Sequence, residues 1–489
     1  MVLSMGEVHA LNPEVGFEGP CMGLKSLRRK ILEESKVTWY IAGPAILASV
    51  FQFSIGFVTV VFVGRLGSTE LAAVSIVQNV IEDFAFGVLL GMGSALETLC
   101  GQAVGAGQFN MLGIYMQRSW IITCVTAMVL SPFYIFSSPV LKLFHQSDDI
   151  SEMAGKYSVL VIPQLFAYAI NFPLQKFLQS QSKVMVMTAI SGVSLMVHIL
   201  LSWVFVTKLN YGLAGAAAAG NISWWIINLT QIIYVVSGFF PEAWTGLSWL
   251  AFHSLAAFVK LSLASAIMLC LELWYYTAVI LLVGGLHNAE IEVDSISICM
   301  NLELCTLMVA LGFNAAVSVR VSNELGAGRP KAAKFSVIVN VAASAMFGIL
   351  FMVIIFSTRN DFPKLFTTDP TVMTATSKLG TLLAFTMFLN SIQPVLSGVA
   401  VGAGWQTLIA FVNVGCYYLF GLPIGAVLGY KFNLGAKGIW SGMLLGGLLQ
   451  TLILIFITIR TNWEKEASQA EDRIQTWGGI TEARESTGC

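Results

Sequence analysis

The run Leu261-Ser-Leu-Ala-Ser-Ala-Ile-Met-Leu-Cys-Leu-Glu-Leu-Trp-Tyr-Tyr-Thr-Ala-Val-Ile-Leu-Leu-Val283 decides the fold of this chain. It is long enough to cross a bilayer as a helix, since about 20 apolar residues suffice. Its charged residue, Glu272, stands near the middle of the run. A carboxylate there costs about 3 kcal/mol unless it is protonated, paired or in contact with water. We therefore expect a membrane-spanning helix whose acid binds a proton, an ion or a cationic substrate.

The composition extends this interpretation to the whole chain. Of its 489 residues, 56% are hydrophobic and 11% are charged, whereas a soluble protein carries about 25% charged residues. The sequence therefore predicts a polytopic membrane protein. The net charge of −1 provides no bulk attraction to nucleic acid, so no nucleic-acid partner is expected. The 8 cysteines lack a CxxC spacing, and we expect neither a metal site nor a disulfide framework.

Eleven further apolar runs have spanning length, which gives twelve runs in two groups of six. They predict an all-α membrane protein with twelve transmembrane helices in two six-helix lobes. The runs fall at about 37–63, 74–99, 117–138, 156–177, 186–207, 213–236, 260–284, 295–319, 335–357, 379–402, 407–430 and 436–459.

The spans divide the chain into five segments. An even number of spans places both termini on one side, and most of the 26 lysines and arginines fall there, so we expect cytoplasmic termini. The linker contains tryptophans that favour the membrane interface, and the polar tail is expected to be partly disordered. The segments are a cytoplasmic N-terminal segment (1–36), an N-lobe (37–236), an inter-lobe linker (237–259), a C-lobe (260–460) and a cytoplasmic C-terminal tail (461–489).

The two halves share short matches at nearly constant spacing, which indicates a duplication. Because six spans is an even number, the halves have the same orientation and are related by a pseudo-two-fold axis along the membrane normal. A cavity between such halves suits alternating access in a secondary transporter. The matches pair Gly105-Ala-Gly107 with Gly326-Ala-Gly328, Pro173 with Pro394, and Gly212-Leu-Ala-Gly215 with Gly435-Ala-Lys-Gly438.

The most distinctive motif is Ser318-Val-Arg-Val-Ser-Asn-Glu-Leu-Gly-Ala-Gly-Arg-Pro330, at the cytoplasmic end of span eight. Gly326 and Gly328 allow a tight turn, and Arg320 and Glu324 are four apart, so they are expected to pair on one helical face. The motif is interpreted either as a gate or hinge between spans eight and nine or as a capped basic loop that sets the topology.

Glu272 is followed at the third and fourth positions by Tyr275 and Tyr276, which share its helical face. We expect a tyrosine hydroxyl to donate to the carboxylate and the rings to contact a flat or cationic substrate. This acid is the primary candidate for proton coupling. The alternative is a structural carboxyl bonded to a neighbouring helix.

Glu303, about one third into span eight, is the second candidate for proton coupling. Two carboxylates facing one low-dielectric pocket would titrate as a pair. The alternative for Glu303 is an interhelical hydrogen bond. Asn301 stands two residues earlier and points to another side, but it is kept among the candidate cavity residues.

Other polar residues inside the spans receive structural interpretations. Glu82 and its neighbour Asp83 are placed near the outer mouth with access to water, since at most one of them faces a central cavity squarely. Glu97 is expected to pair locally, with Arg118 as a candidate partner. His198 is expected to be a satisfied polar core residue.

Four segments resemble the multidrug and toxic compound extrusion (MATE) family, and within it the plant members. The similarity extends from about residue 37 to 463 and implies a V-shaped pair of six-helix lobes, the MATE fold, that exports organic solutes in exchange for protons. It also assigns the coupling role to the glutamate of span seven, here Glu272. The segments are 90–107, 115–120, 318–330 and 393–406.

The resemblance also bears on the other cavity residues. Some relatives carry an aspartate where Asn390 stands, so here that position can orient a partner but cannot release a proton. Gln393, one turn later, is a second candidate cavity residue. The segment that begins at Gln52, another candidate cavity residue, ends in aspartate in bacterial members but in Thr59 here. This change argues against sodium coupling through the first lobe.

The sequence therefore predicts a proton-coupled antiporter that exports or sequesters flavonoid glycosides, alkaloids or xenobiotics, with the proton as coupling ion and no cofactor. The chain is expected to be a monomer in the vacuolar or plasma membrane of a plant. Citrate, which some plant relatives export, is the alternative substrate. A membrane enzyme or channel is the competing class, but the histidines form no cluster, no selectivity ring is evident, and no GxxxxGK[ST] pattern is present to bind ATP.

Overall fold

The structure is a computed structural model that describes residues 24–143, 146–253, 255–286 and 289–477. The parts of the two predicted terminal segments before residue 24 and after residue 477 lie outside these ranges. The described chain is almost wholly helical, as expected for a polypeptide in lipid, where every backbone polar group must be bonded inside its own segment.

The described residues contain 11 helices that are long and apolar enough to cross a membrane, and the number is twelve when a bent helix pair is counted as one span. The predicted all-α fold with twelve spans is therefore confirmed. The helices are α1 (Leu24–Val63), α2 (Ser68–Gly105), α3 (Phe109–Ile135), α4 (Ser137–Leu143), α5 (Asp148–Leu160), α6 (Ile162–Ser180), α7 (Val184–Lys208), α8 (Gly212–Phe239), α9 (Leu255–Gly284), α10 (Glu290–Gly326), α11 (Pro330–Thr358), α12 (Pro370–Ala403), α13 (Gln406–Lys431), α14 (Gly435–Arg460) and α15 (Trp463–Trp477).

The backbone repeats between the halves at the positions where the sequence matches. Gly107 and Gly328, which follow α2 and α10, have φ of 71° and 68°. Gly212 and Gly435, which begin α8 and α14, have φ of 57° and 59°. Positive φ is strained for residues with a Cβ, so the glycines recur where the same turn recurs. The same turns thus recur at matching positions of the N-lobe, α1–α8, and the C-lobe, α9–α14.

The lobes contact each other closely where α2 and α10 end. A Cβ on Gly105 would meet the backbone of Asn323, and a Cβ on Gly326 would meet the backbone of Gln102. Small residues allow such backbone contact between membrane helices. We call this part of the bundle the closed end.

Away from the closed end, α1 and α10 separate. Gly312 of α10 packs against Ile46 of α1, and at 100° per residue Asn301 and Cys305 lie on the same face of α10 as Gly312. Both of these residues are exposed. On α1, Phe57 lies on the face of Ile46 and is 61% exposed. The two helices therefore form a wedge that opens away from the closed end, as the predicted V shape requires.

Three boundaries differ from the sequence prediction. Helix α1 begins at Leu24, before the predicted start at residue 37. The fourth span is bent by 48° between α5 and α6, because Pro163 stands at the start of α6 and disfavours helix continuation. In the tail, which was expected to be partly disordered, residues Trp463–Trp477 form α15, in which Ala470 and Ile474 are buried.

Candidate functional site

The carboxyl group of Glu272 on α9 is surrounded by neutral hydrogen-bond donors from two other helices. Its Oε1 accepts from Gln393 Nε2 at 3.1 Å, from Ser397 Oγ at 3.2 Å and from Asn413 Nδ2 at 3.2 Å. No ion pair of the described residues includes Glu272. The carboxyl is therefore held in place without a permanent positive charge, as a group that exchanges protons requires.

A second layer of amides and a tyrosine supports Asn413. Gln450 Nε2 on α14 donates to Asn413 Oδ1 at 2.6 Å, and the Tyr417 hydroxyl donates to Gln450 Oε1. Asn413 Nδ2 also donates to the carbonyl of Met268 on α9. The sequence analysis missed Ser397, Asn413, Tyr417 and Gln450. For Asn413 and Gln450 the signal was an amide side chain inside an apolar run, where it must find a partner.

Glu303 on α10 is the centre of a second hydrogen-bonded group of side chains in the C-lobe. It is 4% exposed. Asn390 Nδ2 on α12 donates to Glu303 Oε1 and, at 2.9 Å, to the Tyr276 hydroxyl. Glu303 Oε2 is buried without a hydrogen-bond partner among the described residues. Asn390 is neutral and orients both neighbours, as the sequence analysis expected of this position.

Helix α12 connects the two carboxyl groups. Asn390 donates to Glu303, and Gln393, about one turn later, donates to Glu272. A cavity of about 20 Å³ nearby is lined by Tyr276 and Asn390 of the Glu303 group and by Tyr417 of the second layer around Glu272. That volume is enough for one water molecule, which needs about 10–15 Å³. The two candidate acids are therefore parts of one polar site in the C-lobe.

The expected hydrogen bond from a tyrosine to Glu272 is not formed. Tyr275 is 2% exposed, stacks on Tyr417 with ring centroids 4.3 Å apart, and has a hydroxyl without a partner in the described structure. Tyr276 is bonded to Asn390 instead of to Glu272. Spacing along α9 identified neighbours on one face, but stacking against α13 and bonding to α12 determine where each hydroxyl points.

Two other predicted cavity residues lie apart from this site. Gln52 of the N-lobe donates to Ser191 Oγ at 3.2 Å, so it belongs to the contact between α1 and α7. Asn301 donates to the carbonyl of Ser297 in its own helix. Asn301 nevertheless lies on the exposed face of α10 that looks into the wedge.

Charged residues of the motif Ser318–Pro330 form a network of ion pairs at the closed end. Arg320 Nη1 pairs with Glu324 Oε1 at 2.9 Å, which confirms the predicted pair, and Arg329 Nε pairs with Glu324 Oε2 at 2.8 Å. Arg320 also binds Glu34 of α1, in the other lobe. Gly326 provides the close approach to α2, and Gly328 provides the left-handed turn.

In the N-lobe, the polar side chains are arranged partly as expected. His198 is fully buried and contacts Thr59 Oγ1 at 3.1 Å and Ser223 Oγ at 3.0 Å, so it is a satisfied core residue. The expected partner of Glu97 is wrong: Lys176 Nζ pairs with Glu97 Oε2 at 2.6 Å. Arg118 donates to the carbonyl of Leu250 in the linker.

The expected water access of Glu82 is also wrong. Its side chain is 7% exposed and lies in the N-lobe core, whereas the adjacent Asp83 is exposed. The two side chains leave the helix in different directions, and the one that points inward lies in the electrostatic surroundings of tyrosines on α3, α5 and α6.

Comparisons with known proteins agree with this architecture. The MatE family model matches residues 44–204 and 264–427. Protein DETOXIFICATION 33 of Arabidopsis thaliana is 57% identical over 450 residues, which cover 92% of this chain and 93% of that protein. Protein DETOXIFICATION 29 of the same plant is 54% identical over 451 residues, with 92% and 90% covered.

Two solved structures have the same fold. The crystal structure of the eukaryotic MATE transporter AtDTX14 has a TM-score of 0.86 at 33% identity and covers 91% of this chain and 99% of its own. The bent form of the Vibrio cholerae MATE transporter VcmN has a TM-score of 0.78 at 15% identity, with 92% and 99% covered. At 15% identity, the second match shows only that the two proteins share a fold.

Proposed function

Because the chain belongs to the MATE family, and is therefore a multi-pass membrane transporter of small organic compounds and not an enzyme, we propose that protons drive its transport. In this proposal it is an antiporter that exchanges protons for organic solutes by alternating access. The chemistry of the exchange is located in the C-lobe, at Glu272 and Glu303.

The observation that carries the proposal is the environment of Glu272. The carboxyl is held by three neutral donors and by no cation of the described residues. Taking an isolated carboxylate out of water is costly, so a proton or a positively charged substrate is the partner that completes the site. Binding of one disfavours binding of the other, which is the condition for exchange at overlapping sites.

The transport cycle follows from that competition. A proton taken up by Glu272 from the acidic side weakens the binding of the substrate and releases it. The proton then leaves toward the opposite side, and the ionised carboxyl binds substrate again. A ligand shifts the equilibrium between the two lobe arrangements only by its differential affinity for them, so proton and substrate must prefer different arrangements.

Glu303 supplies the second acid of the pair. It is joined through Asn390 to Tyr276, and residues of this group and of the second layer around Glu272 line the small cavity. Carboxyls coupled in this way share protons and titrate as a pair. We propose that Glu303 adjusts the proton affinity of Glu272 and helps to hold the proton while the lobes move.

The substrate class is inferred from the surfaces around the wedge. Aromatic side chains such as Phe57, together with the carboxyl groups of the C-lobe, favour flat or cationic compounds: flavonoid glycosides, alkaloids or xenobiotics. The protein would act as a monomer in the vacuolar or plasma membrane, with both termini cytoplasmic. Citrate is the alternative substrate.

The experiment uses purified protein in proteoliposomes that are acidic inside. A panel of flavonoid glycosides, alkaloids and citrate is offered outside, and uptake is compared with that of vesicles lacking a pH gradient. We expect saturable uptake of a flat or cationic compound that collapses with a protonophore. Uptake that is indifferent to the pH gradient would overturn the proton-coupled mechanism, and selective uptake of citrate would favour the alternative substrate.

A further inference from the structure

Glu82 lies in the N-lobe, away from the proposed C-lobe site. It ends a π-helical segment, Val77–Glu82, inside α2. Here the segment precedes the exposed Asp83 and turns the carboxyl of Glu82 toward the interior of the lobe. The local backbone therefore delivers an acid to a place where an apolar residue would be the ordinary choice.

The surroundings of Glu82 satisfy only one of its two oxygens. Gln164 Nε2 on α6 donates to Glu82 Oε2 at 3.1 Å and to the Tyr168 hydroxyl at 2.5 Å. Glu82 Oε1 is buried and has no hydrogen-bond partner among the described residues. A buried oxygen of an ionised carboxyl without a partner is strongly unfavourable, so the site requires either a cation near Oε1 or a proton on the carboxyl.

The described residues provide no positively charged partner for Glu82 Oε1. No lysine, arginine or histidine there lies within ion-pairing distance of Glu82. The titratable groups that face it are Asp83 on its own helix, Tyr134 on α3, Tyr157 on α5 and Tyr168 on α6. One acid and three phenols provide hydrogen-bonding oxygens but no cation.

We propose that Glu82 is a proton-binding site of the N-lobe, occupied by a proton in the arrangement seen here. A proton on the carboxyl removes the buried charge and turns the unsatisfied oxygen into a donor for a neighbouring hydroxyl. The N-lobe thus retains an acid of its own although Thr59 replaces the charged residue of the first span. This inference goes beyond the proposed exchange, which uses only C-lobe carboxyls. Protonation of Glu82 can also be measured without measuring transport.

The test is pH-difference infrared spectroscopy on the full-length protein carrying Glu272→Gln and Glu303→Gln, which silence the C-lobe carboxyls. We expect a carbonyl-stretch band of a protonated, buried carboxyl that titrates with pH and is lost on adding Glu82→Gln. Asp149→Asn, which changes an exposed acid on α5 of the same lobe, is the control and should leave the band in place. The band should stay where it is when sodium replaces potassium in the buffer.

Gln164→Leu gives a second measurement that does not depend on the stability of the Glu82 variant. It removes the donor to Oε2 at similar volume, so the band should shift without disappearing. Persistence of the band in the Glu82→Gln protein, its absence from the Glu272→Gln/Glu303→Gln protein, or a band that follows the sodium concentration would each overturn the proposal. None of these results depends on whether protons drive transport.

Discussion

Arg320 and Glu34 form a two-point ion pair that joins the lobes at the closed end. Arg320 Nε donates to Glu34 Oε1 and Nη2 donates to Oε2, each at 2.9 Å. Both side chains are about 10% exposed. This planar, bidentate geometry is specific to arginine. The pair therefore holds α1 against α10 with a contact that must break when the lobes separate at this end.

Arg320→Gln should destabilise the protein strongly. It leaves Glu34 buried without Arg320 and removes Arg320 from Glu324, and removing one member of a buried pair costs about 3–5 kcal/mol. Thermal unfolding in detergent should show a clear fall in the midpoint. Arg29→Gln breaks the exposed Arg29–Glu33 pair on the same α1 helix and is the control, with no measurable change expected. Equal midpoints for the two variants would show that the buried network contributes nothing.

Gly326→Ala should impair closure of the end at which α2 and α10 touch. The added methyl would meet the backbone of Gln102, which cannot rotate away, and overpacking of this kind costs about 1–3 kcal/mol. Transport should fall about 5- to 140-fold, since 1.4 kcal/mol corresponds to a factor of 10. Gly56→Ala on α1 is the matched control, because nothing lies within 4 Å of its Cβ position. Wild-type transport by Gly326→Ala would contradict the close contact.

Tyr276→Phe and Tyr275→Phe compare the loss of a hydrogen-bonded hydroxyl with the loss of a hydroxyl that has no partner among the described residues. The Tyr276 hydroxyl accepts from Asn390, so its loss frees the amide that also binds Glu303. The Tyr275 hydroxyl is buried without a partner in the described structure, and its removal should be neutral or slightly stabilising. We expect the pH dependence of transport to change in Tyr276→Phe alone. The opposite ranking would exclude Tyr276 from the coupling site.

The start of α12 provides a pH test outside the membrane. Hydrogen bonds from the Thr371 hydroxyl and backbone N–H lower the pKa of Asp369 from its ordinary value of 3.8. Because the pKa is lowered in the folded state, the stabilisation is present above 3.8 and is lost as the pH falls through the folded value. Asp369→Ala should lower the melting midpoint at neutral pH, and the difference should vanish in acid. Asp369→Asn retains a capping acceptor and should show no such pH dependence.

Physical constraints that act along the chain made part of this structure predictable. The length of each apolar run is set by the bilayer, so the spans were found, and the four-residue spacing of Arg320 and Glu324 is enough for a pair within one helix. The turn at Gly328 was evident because positive φ favours glycine. These features depend on neighbours in sequence.

Features that depend on contacts between distant segments were missed. Glu34 lies far from Arg320 in sequence, and nothing in its own helix indicates the pair. Tyr276 has the right spacing from Glu272, but a donor on α12 determines where its hydroxyl points. Likewise, the polar composition of the tail gave no indication that Ala470 of α15 packs against other helices.

The central claim is that Glu272 carries the coupled proton, and Glu272→Gln tests it most directly. The amide is similar in size and keeps a hydrogen-bonding oxygen, so the variant should fold and insert normally. The exposed Glu290, also changed to Gln, controls for loss of a carboxylate. In acid-inside proteoliposomes, we expect Glu272→Gln to lose uptake driven by the pH gradient and Glu290→Gln to retain it. Unimpaired pH-driven uptake by Glu272→Gln would contradict the account.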